Sequence, residues 1–167
     1  ATSDFDGILN FSAGLFYYKV RNCACGLSLV FLPSTVIASN EQRNTVRSIA
    51  GFGEVTLEPT SRLQLIGGLR YTNERKHNFG TSQVPAFVSA RRDSFSNVSV
   101  RASARYTLND DDANIYVTYS TGFKSGAYAS LAPVTTVTRP EKIKAIEGGI
   151  KLPLMDGRML VTAAAFH

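Results

Sequence analysis

The sequence predicts an all-β chain: an antiparallel meander of about seven long strands, forming an incomplete transmembrane β-barrel in a single domain over residues 1–167. Three observations predict it. Apolar and polar residues alternate with period two in several stretches, the mark of strands with one greasy and one wet face. Turns of roughly four or five residues alternate with connections of roughly twenty, whereas a soluble sandwich places turn signals about every 8 to 12 residues at both ends. No apolar run is long enough for a membrane-crossing helix, although 44% of the 167 residues are hydrophobic.

The clearest element is a hairpin. Val98, Val100, Ala102, Ala104, Tyr106 and Leu108 alternate with Ser99, Arg101, Ser103, Arg105 and Thr107. Asn109-Asp110-Asp111-Asp112 breaks the pattern, which resumes with Ile115, Val117 and Tyr119. Each limb is roughly ten residues long, about what a tilted strand needs to cross a bilayer. A one-residue slip would turn Arg101 and Arg105 onto the apolar side, at about 2 to 4 kcal/mol for an arginine near the midplane of lipid. Register and sidedness are therefore well specified.

The other elements follow in order. Leu9, Phe11, Ala13, Leu15 and Tyr17 form a first strand, and Lys19 to Asn44 reads as irregular, with an apolar piece from Leu27 to Leu32 that has no firm assignment. Ile49, Gly51, Gly53, Val55 and Leu57 share one face of a second strand, followed by a turn at Glu58-Pro59-Thr60-Ser61. Leu63, Leu65, Gly67, Leu69 and Tyr71 make a third. Asn73 to Asn97 and Gly122 to Pro140 read as long loops. Ile146, Gly148, Ile150 and Leu152 form a strand that turns through Pro153-Leu154-Met155-Asp156-Gly157, where Asp-Gly is a strong hairpin signal, into Met159, Val161, Ala163 and Ala165. An open sheet of seven strands would leave two edges unpaired in lipid, which is not viable. The chain thus reads as an internal piece of something longer, with no secretory leader at Ala1-Thr2-Ser3-Asp4.

Composition narrows the function. A net charge of +5 is scattered over strands and loops with no basic helix, which argues against nucleic acid as a partner. Cys23 and Cys25 lie in an expected loop, where a local disulfide or none is expected. A metal pair there would need further ligands, and the only histidines are His77 and His167. Asp110-Asp111-Asp112 reads as an exposed acidic turn in preference to a calcium site. No catalytic residue is expected, because the carboxylates form no acid/base pair and a Ser-His-acid set would rest on those two histidines. No cofactor is expected either.

Four segments resemble one family. Leu65-Ile66-Gly67-Gly68-Leu69-Arg70-Tyr71-Thr72 is similar to the GGLRYT strand of TonB-dependent outer-membrane receptors. Asn114 to Lys124 resembles their YxxYSxGFK strand, and Ala13-Gly14-Leu15-Phe16-Tyr17 their AGLFY strand. Pro140-Glu141, Glu147, Gly149, Lys151, Asp156-Gly157-Arg158 and Ala163-Ala164-Ala165-Phe166 resemble the hairpin that follows. The order and spacing match as well, and only the long connections fall outside the likeness.

The resemblance implies a Gram-negative outer-membrane location and a barrel of about 22 strands with a plugged lumen. This chain would supply about a third of that barrel, with plug and TonB-recognition segment outside it. It also implies active uptake of a scarce solute such as a ferric siderophore, driven by TonB, with outer-membrane lipid and lipopolysaccharide around the barrel. A passive porin and a soluble β-sandwich or adhesion module are the alternatives. Arg70, Arg101, Arg105 and Lys124 are expected to face the lumen with Glu54 and Glu147. They would serve either as salt-bridge partners of the wall and plug or as a path for an anionic metal chelate. Arg91, Arg92 and Lys124 are expected in loops, placed to meet an incoming ligand or lipopolysaccharide phosphates. The ligand-binding candidates are accordingly Arg91, Arg92, Lys124 and Arg70, with no metal site. The strand glycines Gly67, Gly68, Gly122, Gly148 and Gly149 are expected to permit bending and close aromatic packing.

Overall fold

The computed structural model describes residues 7–31, 35–83, 86–108, 113–131 and 134–167. Its strands are β1 (Leu9–Phe31), β2 (Thr35–Thr60), β3 (Leu63–Gln83), β4 (Ala86–Thr107), β5 (Asn114–Lys124), β6 (Tyr128–Leu131), β7 (Val134–Val137), β8 (Glu141–Leu154) and β9 (Met159–Phe166). Seven form one sheet in the order β1-β2-β3-β4-β5-β8-β9, every pair antiparallel, while β6 and β7 make a separate hairpin. This is the expected meander, and it is not closed: among the described residues β1 and β9 each pair on one side only.

The register brings the predicted apolar rows onto a single face. Phe11 stands opposite Val55 and Tyr17 opposite Ile49. Leu69 lies between Gly53 and Val100, Ile115 between Tyr106 and Ile150. No helix or second sheet covers this face among the described residues, and Leu15 is 86% and Leu69 62% exposed. The only buried hydrophobic residues described are Ala50 and Ala113. A face so apolar is stable only against another apolar medium.

Two of the three expected loops are strand. The stretch Lys19 to Asn44 continues β1 and β2 as a paired ladder up to Phe31–Thr35, with register shifts at Ala24/Leu27 and Leu29/Val30. Leu27 to Phe31 is therefore the upper end of β1, and Leu32 lies outside the described residues. The stretch Asn73 to Asn97 is likewise β3 and β4, paired without a break from Leu63–Tyr106 to Gln83–Ala86. Beyond the apolar rows both faces meet water, so the alternation fades while the backbone ladder goes on. Gly122 to Pro140 does hold a connection, but it carries the β6–β7 hairpin.

At the opposite end the connections are short. Ser61 and Arg62 turn β2 into β3, with Thr60 Oγ1 accepting from Leu63 N at 3.1 Å. Pro59 lies inside β2, at a register shift between Leu57 and Thr60, where its missing N–H does no harm. Met155, Asp156 and Gly157 take φ of 53°, 53° and 80°, left-handed values that the glycine adopts freely. The Asn109–Asp112 turn lies outside the described residues.

Candidate functional site

Even-numbered residues of β1, β2 and β3 and odd-numbered residues of β4 make the polar face. There Phe52 stands opposite Arg70, and the Arg70 guanidinium carbon sits 5.4 Å from the Phe16 ring centre and 5.9 Å from that of Phe52. Phe52 reaches across β1 because Gly14 leaves the space: a Cβ at Gly14 would lie 2.5 Å from the ring. Arg70 Nε donates to Thr72 Oγ1 at 3.2 Å. Among the described residues no carboxylate pairs with it. The stacked guanidinium is therefore oriented but not neutralised.

Beside Arg70 a cleft of about 740 Å³ is lined by Tyr18, Ser48, Glu74, Lys76 and Lys124 among others. Glu74, 8% exposed, organises one wall. Tyr18 donates its hydroxyl proton to Glu74 Oε2 at 2.8 Å, Ser125 donates to Oε1, and Lys76 Nζ lies 3.1 Å away. Burial pushes this carboxyl up, but the bonds from Ser125, Tyr18 and Lys76 outweigh it and hold it below the usual carboxylate range. A second set fastens the β6–β7 hairpin. Tyr128 donates to Asp93 Oδ2 at 2.8 Å, with Lys76 O at 3.1 Å from the same hydroxyl. The Tyr128 bond, reinforced by Arg91, holds Asp93 below its ordinary range, while burial and Asp93 push the Tyr128 hydroxyl well up.

The four candidate ligand residues are dispersed. Arg70 and Lys124 line the cleft, and Lys124 Nζ sits 3.6 Å from Glu141 in an exposed pair. Arg91 and Arg92 belong to β4, not to a loop, and being consecutive in a strand they take opposite faces. Arg91 lies on the polar face, its Nε 3.1 Å from Asp93 Oδ2. Arg92 shares the face of Val98 and Val100, opposite His77. Of the other basic residues expected on the polar side, Arg101 reaches Glu54 at 3.6 Å. Glu147 accepts from the Tyr116 hydroxyl at 2.6 Å. Gly149 fits the expectation of aromatic packing, since a Cβ there would lie 2.7 Å from the Tyr116 ring, whereas Gly67 has open space around it. Sequence reasoning missed Tyr18, Phe16, Phe52, Glu74, Asp93 and Tyr128. Counting alternate positions down from Leu69 through the supposed loop would have put Glu74 and Lys76 with Arg70.

Across all 167 residues the chain matches the family model for the β-barrel of TonB-dependent receptors, described as "TonB dependent receptor-like, beta-barrel". The chain belongs to this family. No curated protein matches it by sequence. Among solved structures it is similar to the ferric yersiniabactin uptake receptor FyuA of Yersinia pestis, with TM-score 0.84 and 21% identity over 99% of this chain and 26% of that one. It is also similar to the siderophore receptor PiuA of Acinetobacter baumannii, with TM-score 0.77 and 16% identity over 99% of this chain and 29% of that one. For the ferric-catecholate import receptor Fiu of E. coli K12, in its closed form, the TM-score is 0.74 and the identity 18% over 99% and 29%. The chain thus spans between a quarter and a third of the length of these structures. In a TonB-dependent receptor barrel the apolar face of this sheet is the outside and the polar face the lumen.

Proposed function

We propose that this sheet is one arc of a TonB-dependent outer-membrane importer for an anionic metal chelate such as a ferric siderophore. An open sheet cannot span lipid, so further strands close the barrel. The wall supplies shape and charge and no covalent chemistry. The observation that carries the ligand class is Arg70, a lumenal cation set over the Phe16 and Phe52 rings with no carboxylate paired to it among the described residues. Flat aromatic surface beside an uncompensated guanidinium suits a chelate that is both aromatic and anionic. Lys76 and Lys124 line the same cleft, though each already has an acidic neighbour, and Arg91 stands farther along β4, paired with Asp93. Arg92, on the outer face, is left out of this surface.

The test uses the complete receptor containing this chain. Ferric catecholate and ferric phenolate chelates are titrated against it in detergent, and uptake of labelled iron is followed in cells with and without TonB. Tight binding that weakens about tenfold in Arg70→Gln, about one lost charge-assisted contact, is expected. Uptake is expected to stop without TonB. Iron entry that continues unchanged without TonB would replace the importer by a passive pore.

A further inference from the structure

On the outer face, immediately past the apolar rows, stands a second basic cluster that the lumenal reading does not use. Lys19 lies opposite Arg47 across β1 and β2, and Arg47 opposite Arg75 across β2 and β3. One rung higher His77 faces Arg92, and Arg21 faces Thr45. A depression of about 690 Å³ lies among Arg21, Arg47, Arg75, His77 and Arg92, with Lys76 and Asp93 also at its edge. Like charges directly opposite one another destabilise a sheet, and here three stand in a row across adjacent strands. The acid that also lines this depression among the described residues, Asp93, is already paired with Arg91. Among the described residues none of the six forms an ion pair. Glu41, the acid nearest them on the outer side of β2, pairs with Arg43 at 2.6 Å. Glu74 and Asp93 are engaged on the lumenal face. Arg21, and to a lesser extent Arg47, hold the Lys19 ammonium below its usual range, a further sign of uncompensated positive charge.

Depth decides the occupant. On the outer face the next rung down holds Tyr17, Ile49, Asn73 and Ser96, and the one below it Leu15, Gly51, Tyr71 and Val98; of these Tyr17, Ile49, Tyr71 and Val98 are between 54% and 64% exposed. Tyrosines at that position mark the level where hydrocarbon gives way to headgroups. The cluster crosses four strands, about 14 Å at the usual strand spacing, the width of one or two lipid headgroups. We propose that this rung docks the phosphate groups of anionic lipid in the leaflet around the barrel. The inference rests on the membrane reading above, and on nothing about the transported ligand.

The test reconstitutes the complete receptor into nanodiscs of phosphatidylcholine, with or without lipid A bearing two phosphates, and counts retained lipid A by native mass spectrometry. Retention by the unaltered protein is expected. It should weaken about tenfold or more in the Arg47→Gln/Arg75→Gln/Arg92→Gln variant and largely return when the same three positions carry lysine. Arg101→Gln, on the lumenal side, should leave retention unchanged. Should the glutamine variant fail to fold, the unaltered protein still decides: its retention must fall as salt rises from about 50 to 500 mM. Equal retention of dephosphorylated lipid A, or full competition by inorganic phosphate at the same concentration, would overturn the proposal, as would salt-independent retention. Failure to enter any nanodisc would overturn the membrane reading with it, whereas insertion without phosphate selectivity overturns this proposal alone.

Discussion

Arg101 meets Glu54 across an intervening strand, Nη1 to Oε2 at 3.6 Å, directly over Gly68. Gly68 is the residue between them, paired with Glu54 on one side and Arg101 on the other. A Cβ at Gly68 would lie 3.4 Å from the Glu54 carboxylate. Both charged side chains are more than a third exposed, so the pair contributes no more than about 1 kcal/mol. Arg101→Gln is therefore expected to lower the unfolding free energy of the detergent-folded barrel by less than about 1 kcal/mol. Gly68→Leu, which fills the space through which the pair meets, should cost more than Arg101→Gln in the same urea titration.

Val55 and Thr56 are consecutive and face opposite ways. If hydrocarbon bathes the outer face, Val55→Arg should destabilise folding into liposomes by about 2 to 4 kcal/mol. Thr56→Arg, aimed into the lumen, should fall within about 0.5 kcal/mol of the parent. Equal effects at the two positions would contradict the assignment of faces.

The Glu74 carboxyl, held below its ordinary range, stabilises the fold above the unfolded value of about 4.3, and that stability is lost as pH falls through the lower folded value. The melting-temperature gap between the parent and Glu74→Gln is expected to be constant near neutrality and to shrink below about pH 4. A gap that widened on acidification would reverse the sign.

Tyr128 anchors the β6–β7 hairpin through Asp93 and the carbonyl of Lys76. Tyr128→Phe removes both bonds, worth about 1 to 2 kcal/mol locally. Amide exchange in Tyr128–Leu131 and Val134–Val137 should then accelerate about tenfold, with the protection of β3 and β4 unchanged. Because the hydroxyl is pushed up, this stability is present below the unfolded value of about 10 and lost as pH rises past it.

How much of this was legible depended on what each residue faces. From Leu9 to Tyr17 one side of β1 is apolar, and the period-two signal gave strand, face and register together. From Arg75 to Asn78 every residue is polar although β3 runs unbroken through them. Nothing in the pattern there separates a strand with two wet faces from a loop. The same blindness made Arg91 and Arg92 look like neighbours at one site, when strand geometry sends them to opposite sides of the wall. Contacts such as Tyr18 with Glu74, 56 positions apart, depend on pairings between strands that no local window contains. Cys23, expected in a loop with a local disulfide or none, is disulfide-bonded and lies on β1.

β4 is 22 residues long and its neighbour β5 only 11, and their ladder stops at Arg101–Ser120. From Ala86 to Val100, then, β4 has no strand of the sheet paired on that side among the described residues, although Val100 N bonds to Thr121 Oγ1. Such a flank invites a foreign strand to zip on. The little β6–β7 hairpin, pinned at Asp93, lies beside it as a guard rail, so trimming that hairpin would leave a sticky seam there.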